Sequence, residues 1–286
     1  MSQQNLGVTA FRATVWQAAK TFEREVTIMT RKAFKFALAA MTLGLASVAH
    51  AQENVGADSM PRIVLVHGAF VDGSGWRGVY EELTKRGYKV AIVQNPLTSL
   101  QDDVAATRRV IERQPGSVIL VGHSWGGSVI TEAGVHPQVV GLVYVSALVP
   151  DAGETTAQQY DGFPPASDFV IDTHDGYGII NPDRFREAFA ADTRESDSTF
   201  MRDSQVPISM AVFASRLTQA AWRTKPSWAV IAKEDKAFGE GMLLHMATRI
   251  NAQITEMPGS HAVFMTQPKA VADVIERAAR TVSPDR

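Results

Sequence analysis

From Pro61 onward the apolar residues fall into short, mostly continuous runs: "RIVLVHG" from Arg62, "KVAIV" from Lys89, "SVILVG" from Ser117, "VVGLVYVSA" from Val139, "SWAVIA" from Ser227 and "AQITEM" from Ala252. Runs without polar alternation suit strands covered on both faces, as in a parallel sheet. Between several of them the apolar positions recur at helical spacing. The stretches are 76–86, 102–114 with Val104, Thr107, Val110 and Ile111 on one side, and 268–281 with Val271, Val274, Ile275 and Ala278. Strand, helix and strand in succession imply right-handed crossovers. The pattern predicts an α/β fold, with a mostly parallel sheet of about six strands and helices on both faces.

The alternation is interrupted between Pro150 and Pro226, where the strand signals fade and "DAGETTAQQYDGFPPASD" is followed by helix-like pieces over 182–191 and 208–222. So long a connection predicts an insertion, read as a small helical cap over about 151–225. Phe163, Phe185, Phe189, Met210, Phe213 and Trp222 are its candidates for packing or for lining a pocket; the pattern does not divide them between those jobs.

Composition narrows the functional classes. The 286 residues are 45% hydrophobic, and 28 Lys and Arg stand against 30 Asp and Glu. That balance fits a globular protein with a sizeable core and gives no basic excess for a nucleic-acid partner. Zero cysteines exclude disulfides, thiolate metal sites and cysteine nucleophiles. The start of the chain carries a different signal. From Met29, "MTRKAFKFALAAMTLGLASVAHAQ" places Arg31, Lys32 and Lys35 before a short apolar core and ends in Ala49-His50-Ala51. That is the order of a secretory signal, with an apolar run too short for a comfortable membrane span. The reading is an upstream extension over 1–28, with translation starting at Met29, a signal peptide over 29–51, and a mature domain over 52–286. It places the mature protein in the periplasm or outside the cell, with no stable membrane span after cleavage.

The chemistry centres on "VILVGHSWGGSVI". Gly122-His123-Ser124-Trp125-Gly126 has the form G-x-S-x-G, directly after a strand signal and before a helix signal, the context in which such a serine is a nucleophile rather than a helix cap. A serine needs a base to take its proton and a third group to hold that base. In an open α/β sheet these partners belong just after later strands. "SWAVIAKED" ends in Glu234 and Asp235, either of which fits as the acid, and "AQITEM" is followed by "PGSHAV", which supplies His261. His67 and His123 are placed to shape the surroundings of the nucleophile. The histidines show no metal-ligand spacing, and Gly68, Gly73 and Gly75 lack the spacing of a dinucleotide loop. No cofactor and no metal are expected.

"IVLVHGAFVDGSGWRGVYEELTKRGYKVAIVQNP", "GHSWGG" and the late "SHAV" together resemble the α/β-hydrolase superfamily, in particular its compact esterases related to plant methylesterases and hydroxynitrile lyases. The resemblance covers nearly all of 61–286. It implies the α/β-hydrolase fold, a triad of Ser124, Asp235 and His261, and an oxyanion hole formed by the backbone N–H groups of Ala69 and Trp125. It also implies a small-molecule ester as substrate. Hydroxynitrile lyases of this group carry lysine after the catalytic histidine; Ala262 stands here, which argues against lyase activity. Three functions are compatible with these residues: ester hydrolysis through an acyl-enzyme, a cofactor-free perhydrolase or carbon–carbon hydrolase on the same triad, and a non-catalytic secreted binding protein on a hydrolase scaffold. Acyl and alcohol specificity and oligomeric state are not encoded in any motif.

Overall fold

A computed structural model describes residues 60–163 and 169–283. The expected upstream extension, the signal segment and the mature start at Gln52 lie outside the described residues. Six of the strands form one parallel sheet: β1 (Arg62–Val66), β2 (Val90–Val93), β3 (Val118–Ser124), β4 (Val139–Ala147), β8 (Ser227–Ala232) and β9 (Gln253–Met257), in the order β2-β1-β3-β4-β8-β9. The pairing is parallel throughout. Chain order reverses between β1 and β3, so the crevice at their carboxyl ends is where a ligand site is expected in such a sheet.

The continuous apolar runs are explained by burial on both sides. Ile63, Leu65, Ile119, Val121, Val143 and Val145 face a core built with α1 (Arg77–Lys85) and α8 (Pro268–Val282). Val64, Val66, Leu120, Leu142 and Tyr144 face the other core, with α2 (Leu100–Glu112), α3 (Gly126–Ala133) and α6 (Glu240–Arg249). Alternate residues of β1, β3 and β4 thus enter opposite cores, while β9 at the edge buries only Met257. A short helix, α7 (Val263–Thr266), leads into α8.

The insertion between β4 and β8 contains helices, α4 (Phe185–Phe189) and α5 (Glu195–Asp203), and also an antiparallel sheet of β5 (Val170–Asp172), β6 (Tyr177–Ile180) and β7 (Ile208–Ser209). The helical reading of 182–191 corresponds to a 3-10 turn continuing into α4. The reading of 208–222 as helix is corrected: Ile208 pairs with Gly178, and beyond it lie two separate 3-10 turns, Met210–Ala214 and Ala221–Arg223. Tertiary partners override local spacing there. The Ser209 N–H donates to the Leu97 carbonyl at 2.9 Å and Met210 N–H to that of Gly176 at 2.9 Å. Glu132 on α3 then receives the Thr218 N–H at 2.7 Å and the Gln219 N–H at 3.2 Å, tying the end of the insertion down.

Candidate active site

Ser124 is the last residue of β3 and has φ +54°, a left-handed conformation that non-glycine residues adopt at a cost. The sharp turn into α3 brings backbone against backbone. A Cβ on Gly122 would stand 2.5 Å from the Gly126 carbonyl oxygen, and one on Gly126 would stand 2.7 Å from that of Val66. The two glycines of the motif are therefore required by contact, and the turn they permit lifts the serine hydroxyl off the end of the sheet.

His261 lies between β9 and α7, and Asp235 lies just after β8. The structure brings all three together. His261 Nδ1 is 2.6 Å from Asp235 Oδ2, and its Nε2 is 2.8 Å from Ser124 Oγ. A carboxylate only accepts, so Nδ1 carries the proton and Nε2 is left to accept from the serine hydroxyl. Asp235 Oδ1 also receives the Ala237 and Phe238 N–H groups at 2.8 and 2.9 Å, which locks the carboxylate's orientation. Phe189 and Phe238 meet the His261 ring edge-on, each at 4.9 Å. Glu234, the other acid at this strand end, is exposed and receives the Gly259 N–H instead. It braces the loop that carries His261 without reaching the imidazole.

Two further histidines are buried and neutral by environment. His67 Nε2 accepts the Asn95 N–H at 2.8 Å, so its Nδ1–H faces the Gly68 carbonyl at 2.8 Å. Burial holds its pKa below the ordinary value. The ring thereby fixes the loop from which Ala69 projects. His123 Nε2–H donates to the His261 carbonyl at 3.0 Å, and burial, together with the neighbouring His261, holds it well below the ordinary range.

Ala69, Ser124, Trp125 and His261 border one cavity of about 470 Å³. Its walls come from the insertion and the loops: Phe169, Val170, Ile180, Phe189, Met210, Phe213 and Phe238, with Tyr160. None of the lining residues is Asp, Glu, Lys or Arg. Burial pushes the Tyr160 phenol up, so it stays neutral. The six apolar candidates of the insertion now separate. Phe189, Met210 and Phe213 line the cavity. Phe185 stacks on Phe189 at 5.5 Å, Phe163 lies on His245 at 5.2 Å, and the Trp222 indole donates to the Pro150 carbonyl at 3.0 Å. Sequence reading missed Asp103, whose carboxylate receives the Trp125 indole N–H; nothing local in the sequence sets it apart from Asp102 beside it in the first turn of α2. Among the described residues no group of three or more His, Asp or Glu is arranged to hold a metal ion.

A family model described as the alpha/beta hydrolase family matches residues 63–274, which include every element bordering the cavity. The chain belongs to this family. Among curated relatives it is 26% identical over 243 residues to an alpha/beta hydrolase of Aspergillus novofumigatus, covering 77% of this chain and 96% of that one. It is 25% identical over 245 residues to a pyrethroid hydrolase of Sphingobium wenxiniae, covering 74% and 85%. Among solved structures a methylesterase of Arabidopsis superposes with a TM-score of 0.65 at 18% identity over 77% of this chain and 99% of that one, a likeness of fold.

Proposed function

We propose that this α/β hydrolase is a serine esterase acting on a small, neutral carboxylic ester through an acyl-enzyme. The observation that carries the reading is the unbroken hydrogen-bonded chain from Ser124 Oγ through His261 to Asp235 at the floor of an apolar cavity. Ser124 attacks the ester carbonyl carbon while His261 Nε2 takes its proton, and Asp235 holds the imidazole and stabilises its cationic form. The Ala69 and Trp125 backbone N–H groups receive the oxyanion, each such donor contributing roughly 3 kcal/mol to the transition state. His261 returns the proton to the leaving alcohol. Water, activated by the same base, then releases the acid and restores Ser124. An uncharged, aromatic-lined cavity supports a neutral ester with an apolar acyl or alcohol part over a charged one, because an unpaired ion would lose its hydration there. The 29–51 segment supports export, with the mature enzyme working outside the cytoplasm.

The test is turnover of aryl esters by paired acid variants. Asp235→Asn should fold normally and lose about 10^4 in kcat, as expected for a triad acid. Glu234→Gln should stay within about tenfold of wild type. An inactive Glu234→Gln beside an active Asp235→Asn would reverse the assignment.

A further inference from the structure

Asp102 and Asp103 are adjacent acids in the first turn of α2, yet they do different work. Asp102 completes the cap of the helix: its Oδ2 receives the Thr98 and Ser99 hydroxyls, each at 2.7 Å, and its N–H donates to Ser99 Oγ at 3.0 Å. Asp103 is fully buried. Its Oδ2 receives the Trp125 indole N–H at 2.7 Å and its Oδ1 receives the Leu97 backbone N–H at 2.8 Å. No ion pair involving Asp103 is formed among the described residues. A buried carboxylate without a cation is costly. The helix does not need it, since its neighbour already caps the first turn.

One donor belongs to the cavity wall and the other to a loop that holds the insertion. Trp125 follows Ser124 directly, lines the cavity and meets Phe213 of the insertion at 6.0 Å. Leu97 has φ +58°, and its carbonyl receives the Ser209 N–H of β7. One carboxylate therefore holds the side chain next to the nucleophile and the loop on which the insertion's sheet rests.

We propose that Asp103 is a positioning residue for the esterase reaction: its carboxylate fixes the Trp125 indole against the cavity wall and so sets the aim of the adjoining Ser124 hydroxyl and Trp125 backbone N–H. This rests on the serine-esterase reading. Released from Asp103, the indole N–H would have to turn toward another acceptor, and the ring would swing into the acyl space or tilt the peptide that follows the nucleophile.

The experiment is a double-mutant cycle in the full chain with Asp103→Asn, Trp125→Phe and the pair. It measures kcat and KM on 4-nitrophenyl butyrate, circular dichroism melting, and the indole N–H resonance of Trp125, identified by its loss in Trp125→Phe. Asparagine keeps the shape of aspartate but offers one acceptor where two N–H donors converge. Asp103→Asn should lower kcat about tenfold with KM within about twofold, as a misaimed reacting group does, and should move the indole resonance upfield. In the Trp125→Phe background the same change should alter kcat less than about twofold. Equal losses in both backgrounds would overturn the proposal, since Asp103 would then act through Leu97 or the fold. So would an unchanged kcat and resonance. If Asp103→Asn does not fold, Trp125→Phe decides alone, because wild-type kcat without the indole N–H would also overturn the proposal. Ser124→Ala with retained turnover would instead reject the esterase reading, and the indole resonance would still report whether Asp103 holds Trp125.

Discussion

Ser124 occupies a backbone conformation it would not choose in isolation, and its neighbours show where the compensation lies: Gly122 and Gly126 permit the close approach, and buried polar side chains pin the surrounding loops. Asp103 is one of these whose contribution depends on pH. Burial raises its pKa to about 6 from an ordinary 3.8, against the opposing hydrogen bonds from Trp125 and Leu97. The folded state therefore binds this proton more tightly than the unfolded state, and the stability it contributes is full below pH 3.8 and lost as pH rises through about 6. Denaturant unfolding of wild type and Asp103→Asn at pH 4.5 and pH 7.5 should show wild type losing about 2 kcal/mol relative to the variant across that interval. A relative gain on raising the pH would contradict the sign. The same residue marks a limit of sequence reading. "GHSWGG" singled out Ser124 because its steric demands are local, and His261, which meets it at 2.8 Å, could be picked from its place after the last strand. Asp103 was hidden because its partner, Trp125, lies on the far side of β3 in sequence and meets it only in three dimensions.

At the scale of elements, the inner strands of the main sheet were legible because burial on both faces leaves continuous apolar runs, whereas the edge strand β9 is largely exposed, and α2 and α8 were legible because their apolar stripes face one core each. The insertion was only half legible. β5, β6 and β7 are short, and their pairing depends on side chains distant in sequence: Gln205 receives the Ile180 N–H at 2.8 Å and donates to its carbonyl at 2.9 Å, doing for β6 what a strand neighbour would do. Residues 208–222 carry apolar spacing compatible with a helix, but the bonds from Ser209 to Leu97 and from Thr218 and Gln219 to Glu132 draw that segment out. Glu132 is the firmest of these ties, being buried and accepting the Thr218 hydroxyl as well. Glu132→Ala leaves those donors without an acceptor and should cost about 2 kcal/mol in unfolding free energy. Limited proteolysis should then cut within 215–224 sooner than in wild type. An unchanged digestion pattern and stability would show that the insertion is held elsewhere.

For the whole molecule, the division of labour is between a two-cored sheet that supplies the ends of β1, β3, β8 and β9 and an insertion that roofs the cavity with aromatic side chains. No helix among the described residues is long and apolar enough to cross a membrane. The export proposed from the 29–51 segment predicts that the chain, expressed from Met29 in a bacterium, is recovered from the periplasm with a new N terminus near Gln52, as read by N-terminal mass mapping. Cytoplasmic protein retaining the Met29 segment would contradict it. The central claim, that Ser124 is the nucleophile, has a more direct test. After treatment with a serine-directed phosphonate, peptide mass spectrometry should find one adduct, on the peptide containing Ser124, absent in Ser124→Ala and formed far more slowly in His261→Ala. An active enzyme with no adduct on that peptide, or a Ser124→Ala variant with full ester turnover, would contradict the account.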